Sequence, residues 1–304
     1  MSTTVGRSGG SSLDASVQRY AFVAVKAFGD LTVTAAMLRC VPEDALARCS
    51  LLIGPHLGDL SDALKPVCNV DTLPLPDHSV PAIFDLKKRG LVAGLHSALT
   101  LRSALATAAV GSILVMPRPA RREAFIAGRR FSLALPPANN VYVAHERFLL
   151  QHVTTTTTTP RQPVTVARPR RIALCPFSRV AAKNIPAELV IELAEVCDQA
   201  GFAAELLLLE GEHFEHPDAP PSRVIQRRFD ALADALVGYA GMISADSLPA
   251  HLAEYCGTPA FVASPVANPY WLPAQAFKGE YWGLFDQRAD LTARLQRFLD
   301  NARP

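Results

Sequence analysis

The sequence is poor in charge and lacks long apolar runs. Charged residues make up 19% of the 304 residues, whereas hydrophobic residues make up 49%. No apolar run approaches the roughly 20 residues that a helix needs to span a bilayer, so we do not expect an integral membrane protein. Residues 1–16 are rich in Ser, Thr and Gly without an apolar segment, which predicts a disordered tail rather than a secretory signal. We therefore expect a cytoplasmic protein.

Several motifs that carry chemistry are also missing. The six cysteines are scattered, with no Cys-x-x-Cys pair and no His nearby at the spacing of metal ligands. The first predicted strand is followed by neither Gly-x-Gly-x-x-Gly nor Gly-Lys-Ser/Thr, which disfavours NAD enzymes and P-loop kinases. No Asp-x-Asp occurs, so a diphosphate held by a metal ion is not indicated. We predict neither a metal site nor a cofactor.

The length and one unusual segment predict two domains. A chain of 304 residues is long for one domain and suits two of roughly 150. Six consecutive threonines followed by prolines mark a linker at 153–170, between an N-terminal domain at 17–152 and a C-terminal domain at 171–304. In both halves short apolar runs alternate with amphipathic segments, which is typical of parallel sheets covered by helices.

This pattern predicts α/β architecture with two Rossmann-like, doubly wound domains facing each other across a cleft. We expect the ligand in that cleft, at the carboxyl ends of the strands. Apolar runs predict strands at 20–26, 51–54, 112–116, 141–144, 172–175, 205–209, 223–226, 242–244 and 260–263. Helical spacing predicts helices at 31–39, 91–109, 186–200, 230–239, from 248 onward and at 288–301. We expect the last helix to pack near the domain junction.

The turn after the first strand contains Lys26, Gly29 and Asp30. In doubly wound domains this turn is a functional position. The alternative is that Asp30 only caps the helix that it begins, which is a common use of Asp. The sequence leaves both interpretations open.

Two segments of the second half are suited to bind an anion. The strand at 242–244 leads into Asp246 and Ser247 before a helix, whose free N–H groups and positive end suit a diphosphate. Ser247 and His251 are four residues apart and share one helical face. The alternative is a Ser N-cap and a half-buried His. The loop after the strand at 172–175 contains Ser178, Arg179 and Lys183; this lysine either neutralises a phosphate or is merely exposed.

Taken together, these segments resemble the ADP-heptose glycosyltransferases of bacterial lipopolysaccharide biosynthesis, glycosyltransferase family nine, which have the GT-B fold. VKAFGDLTVTAAMLR (25–39) is similar to the family's opening strand with its Gly-Asp. CPFSRVAAKNIPAEL (175–189) is similar to its Lys-x-Trp-Pro block, and ADSLPAHLAEYCGTP (245–259) to its Asp-Thr-Gly-x-x-His and Gly-x-Pro run. AHERFLL (144–150) resembles the segment that closes the family's first domain.

The resemblance implies an inverting, metal-independent transfer of a sugar, heptose above all, from a nucleoside diphosphate donor, with ADP-heptose as the expected partner. It implies that Asp30 is the general base. The implied donor-binding residues are Ser178, Lys183, Glu212, Asp246, Ser247, Leu248 and His251. An anionic glycan or glycolipid acceptor is expected to meet the basic side chains of Lys26, Arg118, Arg121 and Arg122.

The sequence departs from the family pattern at two positions: Ile185 stands where the family has Trp, and Leu248 replaces a glycine beside the diphosphate. A GT-B module without activity that binds a nucleotide or a protein partner, and a nucleotide-sugar epimerase, are therefore alternatives. Nucleic-acid binding is disfavoured by the net charge of only +2 and by the lack of aromatic residues among the basic clusters. At most a peripheral membrane contact is expected.

Overall fold

The computed structural model describes residues 18–76, 79–117, 121–128, 132–157 and 169–302. These residues form two parallel sheets, one from each half of the chain, with helices on their faces. The predicted α/β architecture is therefore confirmed. The tail expected at 1–16 and most of the linker expected at 153–170 lie outside the described residues.

The first sheet has the order β3-β2-β1-β4-β5, and its strands are parallel. Its central strand is apolar on both faces because helices cover both, and Phe22 lies opposite Leu51 in the register of β1 and β2. The strands are β1 (Arg19–Ala24), β2 (Cys49–Ile53), β3 (Asn69–Thr72), β4 (Ser112–Met116) and β5 (Ser132–Ala134). The helices of this half are α1 (Phe28–Leu38), α2 (Glu43–Leu46), α3 (Gly58–Leu64), α4 (Leu86–Arg89), α5 (Leu91–Ala108), α6 (Arg121–Ala127) and α7 (Val141–Phe148).

The second sheet has the order β11-β10-β9-β6-β7-β8 and is also parallel. Its strands are β6 (Arg171–Cys175), β7 (Ala203–Leu209), β8 (Ser222–Ile225), β9 (Gly241–Ala245), β10 (Ala260–Ser264) and β11 (Trp282–Leu284). The helices of this half are α8 (Ala187–Gln199), α9 (Phe229–Val237), α10 (Leu248–Tyr255), α11 (Ala274–Lys278) and α12 (Arg288–Asn301).

One continuous apolar core lies between the two sheets, and a smaller core lies behind each of them. Tyr20 and Phe22 of β1 point into the shared core, whereas Ala21 and Val23 alternate to the outer core beneath α5. Helices α1, α7 and α10 contribute to the shared core, so the two halves bury apolar surface against each other. This packing fixes the relative position of the two sheet edges that hold the candidate site.

Four local expectations were wrong. Residues 141–144 form the start of α7 and not a strand, because the Asn140 side chain accepts a hydrogen bond of 2.9 Å from the Tyr142 N–H and caps a helix there. The first helix begins at Phe28 and not at residue 31. The last helix, α12, packs on β11 and α8 behind the second sheet rather than at the junction. Strands β3, β5 and β11 were missed.

Among the described residues, no helix combines the length and the apolar character that crossing a membrane requires.

Candidate active site

A cleft of about 660 Å³ lies between the two sheets, and the loops that follow β1, β6, β8 and β9 line it. It therefore lies at the carboxyl ends of the strands, where open α/β sheets bind ligands. Five basic and three acidic side chains line it, which favours an anionic ligand. The basic residues are Lys26, Arg179, Lys183, Arg227 and Arg228, and the acidic residues are Asp30, Glu212 and Asp246.

Asp30 comes from the first half and lines this cleft. It is the third residue of α1, and Ala27 occupies the N-cap position, so the interpretation of Asp30 as the cap of a helix that it begins is wrong. A carboxylate in the first turn still interacts favourably with the helix dipole. The Asp30 backbone carbonyl accepts a hydrogen bond of 2.9 Å from Thr34 Oγ1, which is typical of threonine inside a helix.

Lys183 and Asp246 meet at the opposite wall. Lys183 Nζ donates to Asp246 Oδ2 at 2.7 Å and to the Asp246 carbonyl at 3.2 Å. The loop after β6 is thereby joined to the end of β9. An ammonium group has three N–H donors, so one remains for a ligand in the cleft.

Ser247 occupies the N-cap position of α10, yet its side chain does not cap the helix. Its hydroxyl donates to the Ala245 carbonyl at 3.4 Å instead. The positive end of α10 is therefore left without a capping side chain beside the Lys183–Asp246 pair. Leu248, the first residue of the helix, lines the same cleft with an apolar side chain.

His251 is buried, and it connects the two halves. Its Nδ1 lies 3.1 Å from the Tyr142 hydroxyl of α7, and its ring lies against Gly29 of α1, where an added Cβ would come within 3.7 Å of His251 Cδ2. Burial is the main reason that the pKa of His251 is lowered to about 4; Asp246 opposes this shift, and nearby Lys183 adds to it. The imidazole is neutral at physiological pH, so it offers no positive charge to a phosphate.

Glu212 and Ser178 contribute to the shape of the cleft wall. A Glu212 carboxylate oxygen accepts a hydrogen bond of 2.9 Å from the Leu209 N–H, and the other oxygen lies 3.6 Å from Arg227 Nη2. The backbone N–H of Ser178 donates to Asn184 Oδ1 at 2.8 Å. Ile185, which replaces the family's Trp, is buried in the core behind the second sheet.

The basic residues expected on the acceptor side differ in their surroundings. Lys26 lines the cleft beside Asp30. Arg122 is paired with Glu123, 2.6 Å away, and its guanidinium lies 4.8 Å from the Phe84 ring centroid. Arg121 is exposed. Arg118 lies outside the described residues.

Glu123 is a candidate that sequence reasoning missed. It is buried, and its Oε2 atom has no hydrogen-bond partner in the described structure. A recess of about 20 Å³ beside Asp30 is lined by Lys26, Arg122 and Glu123. That volume suits about one water-sized group.

Sequence reasoning also missed Arg227, Arg228 and Trp271 on the wall of the cleft. The two arginines follow the carboxyl end of β8, so the rule that places ligands at strand ends was a usable signal for them. Within the described ranges, no three His, Cys, Asp or Glu side chains gather as a metal ion would require.

The sheet topology and the cleft define the GT-B fold of glycosyltransferases, and comparison with solved structures agrees. The chain is similar to a family nine glycosyltransferase from Veillonella parvula (TM-score 0.56, 15% identity, covering 96% of this chain and 97% of that one). It is also similar to Escherichia coli heptosyltransferase WaaC with ADP-2-deoxy-2-fluoro heptose (TM-score 0.60, 13% identity, covering 94% of this chain and 100% of that one). A third similar structure is E. coli ADP-heptose lipopolysaccharide heptosyltransferase II (TM-score 0.55, 11% identity, covering 93% of this chain and 99% of that one).

At this level of identity the likeness concerns the fold, and for the fold it confirms the resemblance to family nine seen in the sequence. No protein-family model and no curated protein sequence matches the chain.

Proposed function

We propose that the protein is a glycosyltransferase that moves a sugar from a nucleoside diphosphate donor to an acceptor hydroxyl. One observation carries this proposal: a single cleft holds a carboxylate on one wall and a cation on the other. The carboxylate is Asp30, and the cation is the Lys183 ammonium, which lies beside the uncapped N-terminus of α10. The fold supports it, and the relative solved with an ADP-heptose analogue favours ADP-heptose as the donor. A cytoplasmic location stays a prediction.

In this proposal the donor diphosphate lies at the start of α10. The remaining N–H of Lys183 and the positive end of the helix stabilise the negative charge that develops as the diphosphate leaves. Asp246 fixes the ammonium through the 2.7 Å contact and also offsets part of its charge. Arg179 adds positive charge along the same cleft, and the charges of Arg227 and Arg228 are partly offset by Glu212 and Asp230. In this proposal these fixed cations, rather than a metal ion, meet the diphosphate.

Asp30 acts as the general base. The acceptor oxygen attacks the anomeric carbon from the face opposite the diphosphate, and its proton passes to the Asp30 carboxylate. The bond between the anomeric carbon and the diphosphate oxygen breaks, and its electron pair leaves with the diphosphate. Attack from the opposite face inverts the anomeric configuration. Holding donor and acceptor on opposite walls supplies much of the rate through orientation.

The acceptor enters from the side of Lys26, Arg121 and Arg122, and we propose a glycan or glycolipid for this role. Because Arg122 is already paired with Glu123, we assign the contact with an anionic acceptor group to Lys26, which lines the cleft together with Asp30. The recess beside Asp30 holds one acceptor hydroxyl, which donates to the unpartnered Oε2 of Glu123.

An inactive GT-B module that only binds a nucleotide is the second candidate, and Leu248 favours it because its side chain occupies the cleft beside the expected diphosphate.

Calorimetric titration with ADP-, UDP-, GDP- and CDP-sugars tests both candidates, followed by an assay of sugar release from whichever donor binds. Tight binding with release that depends on Asp30 supports the transferase. Tight binding without any turnover supports the inactive module, and no binding by any nucleotide sugar refutes both. Conversion of the donor into an epimer without an acceptor would identify an epimerase.

A further inference from the structure

Helix α5 exposes an apolar face on the outside of the first half. The exposed fractions are 77% for Leu91, 86% for Val92, 54% for Leu95 and 50% for Leu99. Val92, Leu95 and Leu99 follow each other at spacings of three and four residues, so they lie along one side of the helix. The neighbouring side is buried against the first sheet through Ala98, Leu101 and Leu105. An apolar stripe of this size on an exposed helix indicates a contact surface.

The charge next to this stripe is mainly positive. Lys87, Lys88 and Arg89 of α4 are exposed immediately before α5, and the acidic group that faces them is Asp85, 3.9 Å from Lys88. From residue 86 to residue 122 the sequence contains seven Lys or Arg and no Asp or Glu. Phe125 of α6, 41% exposed, extends the apolar surface beneath Arg102. We call the set Lys87, Lys88, Arg89, Leu91, Val92, Leu95 and Leu99 the α4–α5 face.

We propose that the α4–α5 face docks the protein on an anionic lipid membrane. Apolar side chains that enter the boundary between headgroups and acyl chains, flanked by lysine and arginine, are the combination that interfacial helices use. A second copy of the chain is a poorer occupant, because a symmetric contact through this face would bring two sets of basic residues together. The docking itself does not depend on the proposed reaction.

The α4–α5 face lies on the same side of the molecule as the acceptor side of the cleft. Helix α5 packs against the short turn at Ala82–Phe84, and the Phe84 ring contacts Arg122 at the recess beside Asp30. A membrane below the α4–α5 face would therefore lie near the acceptor side of the cleft and away from the second sheet. If the proposed transfer is correct, this arrangement selects acceptors anchored in the membrane.

The experiment is sedimentation of the full chain with vesicles of phosphatidylcholine, with or without phosphatidylglycerol, at low and high salt. We expect binding to the anionic vesicles that weakens strongly at about 1 M salt, where charges are screened beyond about 3 Å. Lys87→Gln, Lys88→Gln and Arg89→Gln together should reduce the partition coefficient on the order of a hundredfold. Val92→Ser, Leu95→Ser and Leu99→Ser together should reduce it at least about tenfold.

Matched controls separate this surface from general effects. The charge control removes three positive charges from α12 through Arg288→Gln, Arg294→Gln and Arg297→Gln. The apolar control removes exposed apolar groups from the second half through Val224→Ser and Val266→Ser. Both controls should bind vesicles like the parent chain. Unfolding midpoints of all variants show whether each remains folded. The proposal is overturned by failure to bind anionic vesicles, by equal losses in the controls, or by analytical ultracentrifugation showing a dimer that the serine variants dissociate. None of these readouts uses glycosyl transfer, so the proposed function can fail independently.

Discussion

Lys183 Nζ lies 2.7 Å from Asp246 Oδ2, and this contact joins the loop after β6 to the end of β9. The two side chains are 34% and 10% exposed, so the pair is partly shielded from solvent. It places a cation at the uncapped start of α10. The donor side of the cleft is thus assembled from residues 63 positions apart in the sequence.

Replacing Lys183 by Ala should weaken donor binding. A hydrogen bond to a charged group contributes about 1.5–3 kcal/mol, which corresponds to roughly a tenfold to a hundredfold rise in Kd. Calorimetric titration with whichever nucleotide sugar binds the parent chain measures this Kd. Lys88→Ala serves as the control because it removes the same charge from a site outside the cleft. An unchanged Kd in Lys183→Ala would remove this lysine from the donor site.

Acid should destabilise the protein through two buried histidines. Burial lowers the pKa of both His251 and His145 to about 4, below the value of about 6.5 expected in the unfolded chain. The unfolded state therefore binds more protons between these values, and the free energy of unfolding falls as the pH drops from about 6.5 towards 4. Each histidine contributes up to about 1.4 kcal/mol per pH unit.

Urea unfolding at several pH values measures this slope. His145→Gln should reduce the slope, whereas His96→Gln should leave it unchanged because His96 is exposed. Equal slopes in the parent chain and in His145→Gln would show that His145 does not titrate differently on unfolding.

Asn140→Ala should cost about 2–4 kcal/mol of stability. Asn140 is fully buried, caps α7, and donates through Nδ2 to the Pro269 and Leu272 carbonyls at 3.1 and 3.0 Å. The substitution removes the cap and takes its donor from the buried Leu272 carbonyl, whereas the Pro269 carbonyl keeps the Leu272 N–H as a donor.

Asn140→Asp tests how much the donors matter when a capping oxygen is kept. It loses the donors and buries a carboxylate against two carbonyl oxygens, so we expect it to be at least as destabilising as Asn140→Ala. Asn301→Ala at the exposed end of α12 is the control. An Asn140→Asp variant as stable as the parent chain would show that the contact between the halves contributes little.

Glu123→Gln should weaken acceptor binding without affecting the donor. The change keeps the size of the side chain, but with the Gln carbonyl oxygen facing Arg122, an NH₂ group replaces the Oε2 atom that accepts from the acceptor hydroxyl in our proposal. We expect the acceptor KM to rise several-fold, while the donor Kd stays constant because Glu123 does not line the donor side of the cleft. Initial rates at varied acceptor concentration measure the first quantity and titration the second. A change in donor Kd alone would contradict the placement of the acceptor.

The fold was predictable wherever burial on both faces made a segment uniformly apolar. The strand at 112–116 and the helix at 288–301 were predicted with the bounds that the structure has. Strand β3 was missed because Asn69–Thr72 is polar and largely exposed at a sheet edge, and β5 and β11 have only three residues each. The local sequence of residues 141–144 predicts a strand, but the Asn140 cap and the packing between the two halves make these residues helical.

The site was predictable only in part. The rule that ligands lie at strand ends brought Asp30, Lys183 and Asp246 to one cleft. It could not reveal pairings across long sequence separations, such as the contact between Tyr142 and His251 over 109 positions. Burial of Glu123 with an unpartnered oxygen likewise depends on how α6 packs, and nothing in the residues beside it indicates this.

The central claim is that Asp30 is the base of a glycosyl transfer. The most direct measurement compares sugar transfer by the parent chain and by Asp30→Asn, with the donor and acceptor at saturation. We expect kcat to fall about 10²–10⁴-fold, as for the loss of a general base, with donor Kd and Tm nearly unchanged. Asp59→Asn, an exposed aspartate in the first turn of α3, is the matched control and should retain full activity. Full transfer by Asp30→Asn would contradict the account.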